Sequence, residues 1–120
     1  MRRPTLVLSL ISTLALAGCH VTGDYAATVD AYVAAETRVT LGMSPSQVAE
    51  ILEPTQRWLD NTERRRDERY LEGDSTVLIR YYRSGWQADG KLTDDEYTPY
   101  LFRDDTLVAI GWQLHRSAML

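Results

Sequence analysis

The sequence predicts an α+β fold in which two N-terminal helices pack on a three-stranded antiparallel β-meander. Three observations carry this expectation. Apolar residues recur at helical spacing over residues 25–39, and a full capping signature opens a second helix at Ser44. The C-terminal third then holds β-branched and aromatic runs separated by turn residues.

The first helix is expected from Tyr25 to Val39, with Tyr25, Val29, Tyr32 and Val33 as its apolar positions and Asp24 as its cap. The second begins in LGMSPSQVAEILEP, residues 41–54. Ser44 stands at the N-cap, Pro45 at the first helical position and Gln47 three residues after the cap. Met43 and Val48 can form the hydrophobic staple, while Val48, Ile51 and Leu52 line one face and Pro54 ends the helix. Residues 55–74 carry Arg64, Arg65, Arg66 and Arg69 among Asp67 and Glu68, the pattern of a solvated loop or frayed helix. A patch for an acidic partner is the sharper alternative. Trp58, Leu59, Tyr70 and Leu71 are expected to pin its ends.

Thr76 to Arg83 reads as the first strand. After a turn-rich excursion, Tyr97 to Arg103 and Thr106 to Leu114 flank Asp104-Asp105 as a hairpin. A two-residue turn there sets Phe102 opposite Leu107 and Leu101 opposite Val108. Apolar residues occupy both sheet faces, with Val77, Ile79 and Tyr81 on one and Leu78 and Tyr82 on the other. Two helices cover only one face, so either the charged segment with Trp58 or a partner protein covers the second.

The N-terminus has its own logic. Arg2 and Arg3 precede an uncharged, mostly apolar run from Leu6 to Leu16, followed by the small residues Ala17 and Gly18. These are the parts of a secretory signal peptide, and the run is shorter than the roughly 20 apolar residues that span a bilayer. Leu16-Ala17-Gly18-Cys19 has the form of a lipobox, and Cys19 is the chain's one cysteine. The reading is a removed signal peptide over 1–18, an acylated tether over 19–24 and one small domain over 25–120. Covalent diacylglycerol and an N-acyl chain on Cys19 would hold the protein at the membrane, because several chains anchor stably where one does not.

Composition narrows the function. Loss of residues 1–18 removes Arg2 and Arg3 and no acidic residue, taking the formal charge from −4 to −6. So acidic a chain is a poor nucleic-acid binder. With Cys19 acylated there is no thiol for a disulfide or a thiol mechanism. His20 and His115 are the two histidines, and no nucleophile and base can be assembled around them. No enzyme, small-molecule substrate or cofactor is expected. Asp89-Gly90 and Glu96 imitate the second half of a calcium loop, but Gly85 and Gln87 replace its first two ligands, so no metal is expected. The aromatic set is the remaining hint of function. Trp86, Tyr82, Tyr97 and Trp112 are the candidate partner-binding residues, with Trp86 in a turn as the best exposed anchor. Core or cross-strand packing is the competing reading of the same rings.

Gly42, Met43, Ser44 and Val48, with the lipobox and the closing TPYLFRDDTLVAIGW, resemble the small outer-membrane lipoproteins of the SmpA/OmlA (BamE-like) group. The chain looks closer still to an uncharacterised lipoprotein family thought to share that fold. Its pattern is echoed by Tyr81-Tyr82-Arg83, Asp89-Gly90, Thr93, Asp95-Glu96, Thr98-Pro99 and Phe102. Leu52-Glu53-Pro54 lacks the glycine that usually follows the BamE-like helix. The resemblance implies a non-enzymatic envelope lipoprotein, a scaffold or modulator whose partners are envelope proteins such as β-barrel assembly factors. An inhibitor or envelope-stress sensor is the alternative role. His20 directly after the acylated cysteine, rather than Asp, implies the periplasmic side of the outer membrane.

Overall fold

The computed structural model describes residues 20–86 and 93–112. Helix α1 runs His20–Glu36 and α2 runs Pro45–Leu52, followed by a 3₁₀ turn at Glu53–Gln56. Four strands follow, β1 Glu68–Glu72, β2 Ser75–Arg83, β3 Tyr97–Arg103 and β4 Thr106–Ile110. They form one antiparallel sheet in the order β1-β2-β3-β4. The expected α+β class with two helices is present, and the sheet has four strands rather than three.

The added strand comes from the segment read as a charged loop. β1 pairs with β2 from Glu68 opposite Ile79 to Glu72 opposite Ser75, leaving Gly73-Asp74 as a two-residue turn. Gly73 takes a φ of 60° at the first turn position, where such hairpins favour glycine. Charge hid this strand, because it lies at the sheet edge, where charged side chains guard against pairing with another chain. Glu68, Arg69 and Glu72 are all exposed.

Helix α1 starts five residues earlier than expected and includes His20 to Asp24. Its buried positions also differ. Thr28, Tyr32 and Ala35 face the core, with Val39 just past the helix, while Val33 is 54 % exposed. Buried hydroxyls of Tyr32 and Tyr100 meet at 2.6 Å and tie α1 to β3. The α2 entry forms as the sequence implies. The Gln47 backbone N–H donates to the Ser44 hydroxyl at 3.2 Å and the Ser44 N–H to the Gln47 amide oxygen at 2.9 Å. Pro54 converts the helix into the 3₁₀ turn, a junction that replaces the missing glycine cap.

At the β3–β4 turn both aspartates adopt left-handed backbone, with φ of 47° at Asp104 and 62° at Asp105. Phe102 faces Leu107 as expected, but Leu101 faces Ala109, not Val108. Val108 is the extra residue of a β-bulge and is turned outward, 40 % exposed. The bulge shifts alternation in β4, so Leu107 and Ile110 pack toward the helices and Ala109 toward the other face.

Both faces are buried. Leu78, Tyr82, Tyr100, Phe102 and Leu107 join α1 and α2 in one core, with Met43 and Ile51 packed against it. Val77, Ile79, Tyr81, Tyr97, Leu101 and Ala109 form the second. Arg65 of the charged segment does lie on this second face, 4.1 Å above the Tyr81 ring. Trp58 does not. It lines a groove on the helix side with Ala31, Ala34 and Ile51.

Three outcomes are expected. Ser44→Ala will lower stability by about 1 kcal/mol in urea unfolding, because it removes the α2 cap. Asp105→Gly will raise stability by about 0.5 kcal/mol by relieving the left-handed turn, whereas Asp104→Gly will not, because it discards a hydrogen bond. That bond runs from the Thr76 backbone N–H to the Asp104 carboxylate at 2.9 Å. It holds the Asp104 carboxyl below the usual carboxylate range. The stabilisation is therefore complete above the unfolded-state pKa and fades as pH falls through the lower folded value. A side-chain NMR titration should place the Asp104 midpoint below that of an unstructured aspartate.

Candidate functional site

β1 stops opposite Ile79, so the last four residues of β2 have no strand on that side. The chain fills the gap with a side chain. The Gln56 amide accepts from the Arg83 backbone N–H at 2.8 Å and donates to the Arg83 carbonyl at 3.0 Å, replacing two ladder bonds. The same Gln56 nitrogen donates to the Thr55 hydroxyl at 2.9 Å, whose proton goes to the Leu52 carbonyl. The 3₁₀ turn is thereby fastened to the sheet edge.

Below this clamp lies a buried ion pair. Arg83 and Glu96 are each 1 % exposed, and the guanidinium donates directly to the carboxylate. Arg83 also donates to the Glu63 carbonyl at 3.4 Å, and its charge sits 4.2 Å above the Tyr25 ring. The other Glu96 oxygen accepts from the Thr93 hydroxyl at 3.2 Å and the Thr93 N–H at 3.4 Å. Its backbone carbonyl receives the N–H groups of Ser84 and Gly85 at 2.9 and 3.1 Å. Tyr97 donates its hydroxyl to the Glu63 carbonyl at 2.6 Å. A hydrogen bond to the Glu63 carboxylate, and then burial, push the Tyr25 phenol up to about 12.

Between residues 64–67 and the unpaired part of β2 opens a cleft of about 340 Å³. Arg64, Arg65, Arg66 and Arg80 line it against two carboxylates, Glu53 and Asp67. Arg64 pairs with Glu53 at 3.0 Å and Arg80 with Asp67 at 2.9 Å, while Arg65 pairs with Asp94 outside the cleft. The exposed Arg66 makes no ion pair among the described residues. Tyr82 lines the cleft from β2, and its buried hydroxyl interacts with the Arg80 guanidinium. Burial, partly offset by Arg80, pushes this phenol up to about 12, so it keeps its proton.

The sequence-predicted site residues fall in different places. Cys19 lies outside the described residues, as do Asp89, Gly90 and His115. Trp86 is half-buried and stacks on Tyr25 with ring centres 5.9 Å apart, so it braces α1 rather than standing free. Tyr82 and Tyr97 are buried, which withholds their rings from a partner and corrects their expected role as contact surface. Trp112 is half-buried, its indole N–H donating to the Tyr97 carbonyl at 2.9 Å. Among the described residues, the exposed large apolar ones are Val33, Leu41, Leu71 and Val108. Sequence reasoning missed the Arg83–Glu96 pair and the cleft. The signal available for the cleft was the arginine run itself. Glu96, the last position of the imitation calcium loop, is committed to Arg83, and no metal-binding cluster occurs among the described residues.

Residues 24–117 match the family model described as "Protein of unknown function (DUF3192)". The chain belongs to the DUF3192 family. No curated protein and no solved structure matches it. The match covers α1 from Asp24, both cores and the cleft, so the DUF3192 region contains the whole site.

Removing one member of the buried pair should be far worse than removing both. Arg83→Ala will cost about 3–5 kcal/mol in urea unfolding because Glu96 is left buried without a counter-charge. The double change Arg83→Met with Glu96→Leu will recover most of that loss.

Proposed function

We propose that this DUF3192 protein is a lipid-anchored, non-enzymatic envelope lipoprotein that binds other envelope proteins as a scaffold or modulator. The observation that carries the reading is the lipobox ending at Cys19, followed one residue later by the start of α1. With acyl chains on Cys19, α1 would rise from the membrane surface without a flexible linker. Tyr25 would stand about 9 Å along the helix from the anchor. The stack of Trp86 on Tyr25 and the cation over Tyr25 would then fix the domain's attitude to the membrane.

Two helices on one face of an antiparallel meander support a BamE-like arrangement, and with it β-barrel assembly factors as partners. His20 after the cysteine supports the periplasmic side of the outer membrane. The contact surface moves from the second sheet face, which is buried, to the β4 edge. There Leu41 is 60 % exposed beside the outward-turned Val108. The Gly42 N–H donates to the Leu107 carbonyl at 2.9 Å and the Leu107 N–H to the Met43 carbonyl at 2.8 Å, which brings the two residues together. Apolar side chains at a strand edge suit a protein partner better than a solute.

Metabolic labelling with a palmitate analogue tests the anchor. The wild-type chain should be labelled and move to the membrane fraction, and Cys19→Ala should do neither. An unlabelled wild-type chain would refute the lipoprotein reading. Barrel-assembly components should co-purify with the acylated protein in mild detergent and be lost with Leu41→Glu plus Val108→Glu. Equal recovery with both forms would move the contact surface elsewhere.

A further inference from the structure

The sheet has a second edge, β1, across from the β4 edge that carries Val108. The register shows which of its backbone groups face outward. The Arg83 N–H and carbonyl face the β1 side, where the Gln56 amide meets them. Alternation along β2 turns Ile79 and Val77 the same way, so their partners Glu68 and Tyr70 spend their backbone groups inward. Arg69 and Leu71 therefore each direct an N–H and a carbonyl away from the sheet. Among the described residues no further backbone hydrogen bond involves either of them.

The side chains of this edge are also left over from the fold. The helix-side core takes Leu78 of β2 but nothing from β1. Arg69 stands opposite Leu78 and Leu71 opposite Thr76, so both side chains rise on the helix face of the sheet. Leu71 is 74 % exposed there, beside a groove of about 250 Å³ whose lining includes Thr76, Leu78 and Asp105. The Arg69 side chain is 70 % exposed. Its nearest carboxylate, Asp67, lies at 4.0 Å and is already held by Arg80 at 2.9 Å. On the opposite face Glu68 and Glu72 each have an arginine, Arg65 at 3.8 Å and Arg103 at 3.2 Å.

These features describe an occupant. Outward N–H and carbonyl groups on alternate residues call for an extended chain, Arg69 for a carboxylate and Leu71 for an apolar side chain. A second copy of β1 fits badly. The antiparallel register that uses the whole strand would set Leu71 against Arg69 and Glu68 against Glu72, each twice over. We propose that β1 takes an extended segment of a partner protein as an added antiparallel strand, with an acidic residue opposite Arg69 and an aliphatic residue opposite Leu71 that enters the groove. Glu68 and Glu72 discourage other strands on the far face, so the charges that guard this edge also select what it accepts. The site is separate from the β4 surface and does not depend on the lipid anchor.

Nitrogen-15 NMR of the full chain, purified in mild detergent, provides the test. The probes are the peptide acetyl-Ser-Thr-Ile-Thr-Glu-Thr-Ser-amide and the same peptide with lysine in place of glutamate. The glutamate peptide should shift the Arg69 and Leu71 amide signals saturably and slow hydrogen exchange at both. The lysine peptide should bind roughly fivefold more weakly, and Arg69→Glu should reverse that order. Leu71→Ser should weaken both peptides. Arg69 and Leu71 are exposed, so signals of the two variants away from β1 should match the wild type and show that the fold is kept. No saturable shift at these two amides would overturn the proposal, as would equal binding of both peptides or an order that Arg69→Glu fails to reverse. Shifts of the same amides that follow protein concentration without any peptide would assign the edge to a second copy and overturn it too.

Discussion

Arg83 and Glu96 are charged groups taken almost wholly out of water, and the rest of the domain is arranged around that fact. Burying an ion costs several kcal/mol even after relaxation, and the mutual attraction of a pair offsets it only with good geometry and further hydrogen bonds. Those bonds recruit distant parts of the chain. Glu63 supplies its carbonyl from the charged segment, Thr93 caps the carboxylate, and Tyr25 offers its ring from α1. The pair joins the end of β2 to the start of β3, so the excursion between these strands is closed at its base. Among the described residues, one guanidinium nitrogen, Arg83 Nε, has no hydrogen-bond partner, a residual cost of the arrangement.

The Gln56 clamp follows from the same constraint. Were Arg83 at the end of a fully paired strand, β1 would lie where the charged segment now passes. Ending β1 at Glu68 frees the edge, and the Gln56 amide supplies the bonds that a strand would have made. The space left over is the cleft. Its arginines are therefore a consequence of topology as well as of composition, because the segment that seals the ion pair is also the arginine run. Arg65 links the two by lying over Tyr81 and pairing with Asp94.

A sheet buried on both faces has little tolerance for error in register, since a one-residue slip exchanges the two sets of side chains. The β-bulge at Val108 makes such an exchange deliberately within one strand. Upstream of it Leu107 serves the helix-side core, and downstream Ala109 serves the other face, while Val108 is expelled to the edge. The Gly42 and Met43 backbone then covers that edge at Leu107. The result is a closed double core with Leu41 and Val108 left exposed at the β4 edge.

Much of this was legible in the residues. The Ser44-Pro45-Gln47 entry, the β2 and β3 spans and the two-residue Asp104-Asp105 turn are local features, set by capping, β-branching and turn chemistry among neighbours. The sequence by itself determined these elements and both apolar faces, because each depends on contacts within a few residues. Local charge pointed the wrong way at β1, where the Gly73-Asp74 turn was the overlooked clue. Periodicity in α1 was too uniform in alanine to show which side would be buried. The tertiary structure alone decided that Tyr82 and Tyr97 are interior, that Trp86 is a brace, and that one arginine of many is buried beside Glu96. Burial of a charge or a ring depends on what surrounds it, and here the surroundings come from α1, the 3₁₀ turn and three separate loops.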